Sequence, residues 1–225
     1  MNETQSTIFD FSKKSLAELR DASSGYLISE KTVPVFKNEK VYRSFWGGRC
    51  ALAHLLKQNN LTLRISPNEC HGFLELVSKE GVCSSNWFCS ISHTDSIAVA
   101  ALSPQPVGID IEPLERSVDK VVSRIASATE LKEFQQSLFP MKKTISNPHL
   151  LIWTGKEAFS KAVGLGMKKG LEDFRIHWAN ELPFKGSTEF KSPHFLREPT
   201  LNFIIHNEFL IGLCCEKDSS SFYFG

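Results

Sequence analysis

Two short apolar runs, Ile97–Leu102 (IAVAAL) and Val107–Ile111, flank the tetrapeptide Ser103-Pro104-Gln105-Pro106. Two prolines in four residues remove backbone donors and fix φ, so no strand or helix continues through them. The chain is therefore expected to divide here, into 1–104 and 105–225. A length of 225 residues suits one large domain or two small ones sharing a core.

Around the breaker, periodicity places further elements. Val41 to Gln58 reads as a helix, with Val41, Phe45, Leu52, Leu55 and Leu56 on one side, although Gly47 and Gly48 weaken it. Trp87 to Ile91 and Ile97 to Leu102 read as strands joined by a turn, Ser92-His93-Thr94-Asp95-Ser96. Val118 to Leu138 alternates apolar and charged residues at helical spacing. Asn147-Pro148 opens the best-marked helix, with Asn as N-cap, Pro at the first helical position, and Gly164 and Gly166 at its end. Phe174, Ile176 and Trp178 alternate with polar residues, as do Phe209, Ile211 and Leu213, so both segments read as strands. Residues 1–37 carry no clear pattern. Interspersed helices and strands make the fold class α+β.

Charge and composition narrow the function. Lys and Arg balance Asp and Glu to a net charge of +1, which gives no global basic field for nucleic acid. None of the six cysteines forms a CxxC pair or has a spaced histidine pair, so a zinc site is not expected. The opening MNETQSTIFDF lacks a basic, then apolar, leader, and no run approaches the ~18 apolar residues of a membrane span. A reduced, cytoplasmic setting is the expectation.

Two segments carry chemistry. In Val107-Gly108-Ile109-Asp110-Ile111-Glu112-Pro113, strand alternation turns both carboxylates to one face and both isoleucines to the other. Like charges in one site are costly, and a cation relieves that cost; oxygen ligands suit magnesium. Pro113 would leave the pair at an exposed strand end, where a solvated pair of ordinary acids gives the same pattern. Along the Pro148 helix, Trp153, Lys156, Glu157, Ser160 and Lys161 follow one another at intervals that place them on a shared face. Glu157 could complete a three-carboxylate site, and Lys156 and Lys161 suit a phosphate. A surface ion pair between Glu157 and Lys161, with Trp153 in the core, fits the same spacing. His93, between two strands beside Ser92 and Thr94, could bind a phosphate oxygen.

Taken together these segments resemble the 4′-phosphopantetheinyl transferase family, and within it the branch acting on nonribosomal peptide and siderophore synthetases, of the enterobactin synthetase component D kind. Three blocks carry the resemblance in family order: Ser90-Ile91-Ser92-His93 with Ala98 shortly after; Gly108-Ile109-Asp110-Ile111-Glu112; and Trp153 to Lys161, which fits W-x-x-K-E-A-x-x-K and is followed by Gly164. Phe45-Trp46-Gly47-Gly48-Arg49 resembles the helix that opens the coenzyme A site in that branch, and Arg116 and Glu130 fall where the family often has Arg and Glu. One block departs: where the family has a Gly-basic-Pro loop, this chain has Cys70-His71-Gly72-Phe73-Leu74.

The resemblance implies two similar α+β halves related by a pseudo-twofold, with coenzyme A in the cleft between them and one chain sufficient as a monomer. It implies transfer of 4′-phosphopantetheine to a serine of an apo acyl, peptidyl or aryl carrier protein, releasing 3′,5′-ADP. Asp110, Glu112 and Glu157 would hold Mg²⁺. Glu157 would be the base, directly or through a metal-bound water, and Lys161 would steady the pyrophosphate. Ser92, His93, Lys156 and Arg49 would bind coenzyme A, and the apolar and basic segment Leu165–Lys169 could meet an acidic carrier. A metal-dependent phosphohydrolase and a non-catalytic carrier-binding module are the alternative readings.

Overall fold

The computed structural model describes residues 4–26, 33, 37–65, 74, 76–78, 80, 82, 87–137, 145–164, 171–172, 174–178, 185–188 and 198–216. The stretch 70–73 and the segment 165–170, which includes Gly166, lie outside them. The chain divides into two units, Met1–Gln105 with Ser221–Gly225, and Pro106–Ser220. The fold is α+β, and in each unit a long helix lies on an antiparallel sheet.

In the first unit, β1 (Gln5–Asp10), β4 (Phe88–His93) and β5 (Ile97–Ser103) form a sheet in the order β1-β5-β4, all antiparallel. The strands β2 (Arg64–Ile65) and β3 (Leu76–Val77) pair separately. The helix α2 (Glu39–Gln58) packs on β5, β1 and β4, and α1 (Leu16–Ser24) packs on α2. Trp46, Leu52, Leu55 and Leu56 of α2 are buried with Ala98, Ala100 and Leu102 of β5. Small residues on the strand leave room for the large ones on the helix. Asn38 caps α2, its Oδ1 accepting from the Lys40 N–H at 2.8 Å. The first helix is held by a reciprocal cap: Ser15 Oγ accepts from the Glu18 N–H, and Glu18 Oε2 accepts from the Ser15 N–H. Ser15→Ala should lower stability by about 1 kcal/mol. Urea unfolding measures this, and an unchanged midpoint would exclude the cap as a contributor.

The second unit has a five-stranded antiparallel sheet in the order β6-β10-β9-β8-β7. Its strands are β6 (Gly108–Pro113), β7 (Ile176–Trp178), β8 (Lys185–Thr188), β9 (Pro199–His206) and β10 (Phe209–Glu216). The helix α5 (His149–Ala162) packs on β6 and β10. A Cβ on Gly108 would sit 1.8 Å from the Ala158 carbonyl oxygen, so glycine is what lets β6 approach the α5 backbone this closely. The periodic stretch expected as one helix is two, α3 (Asp119–Ile125) and α4 (Ala128–Ser137). Ser127 makes the break, its Oγ accepting from the Glu130 N–H at 3.1 Å. Pro148, not Asn147, occupies the cap position of α5. Asn147 instead donates through Nδ2 to the Arg116 carbonyl at 3.1 Å. Gly164, at φ 71°, lies just past the helix end.

No helix among the described residues is long and apolar enough to cross a membrane. Cys50, Cys89, Cys214 and Cys215 are free and buried. Burial pushes the Cys50 thiol up to about 11 and the Cys89 thiol up to about 12, so these side chains act as small apolar groups.

Candidate active site

In the second unit, β6 and α5 bring Asp110, Glu112, Glu157 and Lys161 together. The carboxylates are not at an exposed strand end, as the Pro113 stop suggests. Asp110, Glu112 and Glu157 are 4%, 6% and 3% exposed. The reason is the packing of α5 across β6, which covers the face that alternation assigns to the acids.

Each carboxylate has a distinct environment. Asp110 Oδ1 accepts from Lys161 Nζ at 2.7 Å, and the same ammonium reaches the Ile109 carbonyl at 3.1 Å. Glu112 Oε1 accepts from the Trp153 indole N–H at 2.6 Å and from the Arg116 guanidinium. Burial raises the Glu112 pKa, the Asp110 charge adds to this, and the bonds from Arg116 and Trp153 oppose it. Glu157 Oε1 is buried with no hydrogen-bond partner among the described residues. Burial, then the negative charge of Asp110, push the Glu157 carboxyl up to about 7, against the pull of Lys161. A carboxyl in that range can hold or release a proton near neutral pH.

Among the described residues, no three His, Cys, Asp or Glu groups stand converged as a metal-ligand cluster. Side-chain cations meet two of the acids instead, Lys161 at Asp110 and Arg116 at Glu112. The donor chemistry still suits a hard divalent ion. The acids supply only oxygen, and the Asp110 charge raises the pKa of both Glu112 and Glu157. The unpartnered Glu157 oxygen is buried where a cation would satisfy it.

Lys156 has a different role from the phosphate contact expected of it. It is fully buried. Its Nζ donates to the carbonyls of Ile125, Leu171 and Phe174 at 2.7–2.8 Å and lies 3.0 Å from Glu130 Oε2. Glu130 Oε1 in turn accepts from the Ile176 N–H at 3.0 Å. Every ammonium proton is thus committed inside the unit, which leaves none for a ligand. The shared-face expectation fails because α5 is buried on all sides from Leu150 to Ser160, so Lys156 and Glu157 meet different neighbours. Ser160 donates back to the Glu157 carbonyl at 3.0 Å rather than to a carboxylate. Sequence reasoning also passed over Trp153 and Arg116 as partners of Glu112. Trp153 lies on α5 and Arg116 in the loop after β6, and no local pattern shows that both meet Glu112.

In the first unit, Ser92 and His93 end β4 and are not in a turn. Ser92 is nearly buried and His93 is exposed. Gly48 of α2 lies against this strand end: a Cβ there would be 2.6 Å from Ile91 Cγ2 and 3.7 Å from His93 Cδ2. Arg49, the next residue of α2, stacks its guanidinium 3.7 Å from the Phe45 ring centroid. The strand end at His93 thereby lies against the middle of α2, at the residue before Arg49. The expected departure from the family loop at Cys70–Leu74 falls outside the described residues except for Leu74, which bridges to Cys89.

Residues 106–214 match the family model described as the 4′-phosphopantetheinyl transferase superfamily. Among curated proteins, the chain is 33% identical over 100 residues to a 4′-phosphopantetheinyl transferase of Bacillus subtilis, covering 42% of this chain and 43% of that one. It is 30% identical over 112 residues to the 4′-phosphopantetheinyl transferase gsp of Aneurinibacillus migulanus, covering 50% and 46%. A third relative, the transferase psf-1 of Bacillus pumilus, is 33% identical over 85 residues, covering 38% and 35%. The matched region spans less than half the length of each of these relatives.

Proposed function

We propose that this chain transfers 4′-phosphopantetheine from coenzyme A to a serine of an apo carrier protein and releases 3′,5′-ADP. The observation that carries the reading is the buried group of Asp110, Glu112 and Glu157 with Lys161, in the region that matches the superfamily. A Mg²⁺ ion held by the three carboxylates would neutralise charge on the pyrophosphate. Glu157, directly or through a water, accepts the serine proton as the serine oxygen bonds to phosphorus and the bond to 3′,5′-ADP breaks. Lys161, half-buried beside Asp110, steadies the departing phosphate. Arg49, Ser92 and His93 contribute to coenzyme A binding, while Lys156 holds α5 in place. The work takes place in the cytoplasm, on a carrier of a peptide or siderophore synthetase, a choice supported by the Phe45–Arg49 resemblance.

Incubation with coenzyme A, Mg²⁺ and several apo carriers tests this by mass spectrometry. A carrier heavier by one phosphopantetheine supports transfer. Breakdown of coenzyme A with an unmodified carrier makes the chain a phosphohydrolase, and no change in either makes it a binding module. Asp110→Ala should reduce transfer by at least ~10²-fold, as loss of a charge-stabilising group does. A variant as active as the parent would remove Asp110 from the site.

A further inference from the structure

Trp153 occupies the first position of the W-x-x-K-E pattern, where a core role explains its burial but not its polar edge. It lies within the apolar cluster of the second unit and is 8% exposed. Its indole N–H nevertheless points at a charged group, donating to Glu112 Oε1 at 2.6 Å. The same oxygen accepts from Arg116, four residues further along the chain. The Arg116 guanidinium also lies over the Trp153 ring, with Cζ 5.2 Å from the centroid. The Asn147 side chain holds the Arg116 carbonyl at 3.1 Å, which ties the loop after β6 to the start of α5. The two elements that bear the acids are thus joined through one carboxylate oxygen.

We propose that Trp153 is a positioning residue for Glu112: its indole N–H, backed by Arg116, fixes Oε1 and directs Oε2 to a divalent cation. The inference rests on the metal-dependent reading above. It goes beyond that reading by assigning how the carboxylate is aimed. Two donors on one oxygen restrict rotation about the terminal side-chain bond, so Glu112 presents a single oxygen in a fixed direction. Carboxylate ligands are commonly held by such outer partners, and loss of one costs about 10–100-fold in metal affinity. The neutral indole is the informative partner. Arg116 repels a nearby cation while it holds the carboxylate, so removing it mixes two effects of opposite sign. Trp153→Phe removes the donor and keeps most of the apolar ring.

The test is titration of the full chain with Mn²⁺ alone, read by electron paramagnetic resonance, beside a thermal melt of each protein. Trp153→Phe should raise the Mn²⁺ dissociation constant by about 10–100-fold while the melt shows a folded protein. A dissociation constant within twofold of the parent would overturn the proposal and leave the metal reading standing. A parent protein with no saturable Mn²⁺ binding would overturn both. Should Trp153→Phe fail to fold, the parent supplies a second measurement. With nitrogen-15 in its four tryptophans, Mg²⁺ should shift one indole N–H signal in a saturable way. Four static indole signals across a titration that saturates by calorimetry would sink the proposal.

Discussion

Glu157→Gln should make the metal-free protein more stable at neutral pH while abolishing transfer. The carboxyl is buried beside Asp110 and Glu112, and its pKa rises from 4.5 to about 7 on folding. The sign follows from that direction. Below pH 4.5 the acid is protonated in folded and unfolded chains alike, and it costs nothing. As pH rises from 4.5 to 7 the unfolded chain releases its proton while the folded one keeps it, so stability falls. Above 7 the full penalty is present, on the order of 3 kcal/mol for a shift of this size. Glutamine carries no charge and escapes the penalty. Urea unfolding in a chelator at several pH values should therefore show a gap between variant and parent that opens across that window and then stays constant. Added Mg²⁺ should narrow the gap, because a ligand of the folded state stabilises only the protein that binds it. Transfer by the variant should fall by at least ~10²-fold. A gap that does not change with pH would mean that Glu157 is not held against its neighbours' charge. Retained transfer would remove it as the base.

The course of α5 could be read from local chemistry, because a helix-opening proline and terminal glycines act within a few residues. The strand β1 has burial without an apolar pattern. In β1 the sequence Gln-Ser-Thr-Ile-Phe-Asp looks polar, yet Ser6 and Thr7 are buried, and Thr4 Oγ1 meets Ser103 Oγ at 3.0 Å across the sheet. Polar residues are tolerated inside when a neighbouring strand supplies partners, and that strand lies about 90 residues away in sequence. The first helix was missed although Ser15-Leu16-Ala17-Glu18 has the spacing of a reciprocal cap. At the site, the acids and lysines of α5 could be named, but their directions could not. Spacing of three and four residues suggests one functional face only when the opposite face meets solvent. A helix enclosed from Leu150 to Ser160 has a neighbour on every side, and those neighbours come from α3, β6, β7, β9 and β10. The link from Trp153 to Glu112 depends on the approach of β6 to α5 that Gly108 permits, and no local pattern encodes that approach.

Lys156→Met should lower stability by about 3–5 kcal/mol, the cost of breaking a buried ion pair from one side. Methionine matches the length of the stem but leaves Glu130 facing the interior without its cation. The carbonyls of Ile125, Leu171 and Phe174 also lose their donor. Burial already pulls the Lys156 pKa down, and the Glu130 charge opposes this. Removing both charges is less harmful than removing one. Lys156→Met with Glu130→Gln should recover part of the loss, because no uncompensated charge remains, although the three carbonyls stay unpaired. Glutamine can still accept from the Ile176 N–H that Glu130 now holds. Urea unfolding of the parent, both single variants and the double variant gives the coupling between the two residues. The phosphate-contact expectation for Lys156 makes the contrary prediction: the single variant would unfold like the parent and show only a higher Michaelis constant for coenzyme A. That outcome would return Lys156 to the binding site. A loss of several kcal/mol, partly restored in the double variant, would establish that the first lysine of the W-x-x-K-E-A-x-x-K pattern fastens α5 to the rest of its unit, while the second, Lys161, faces the acids.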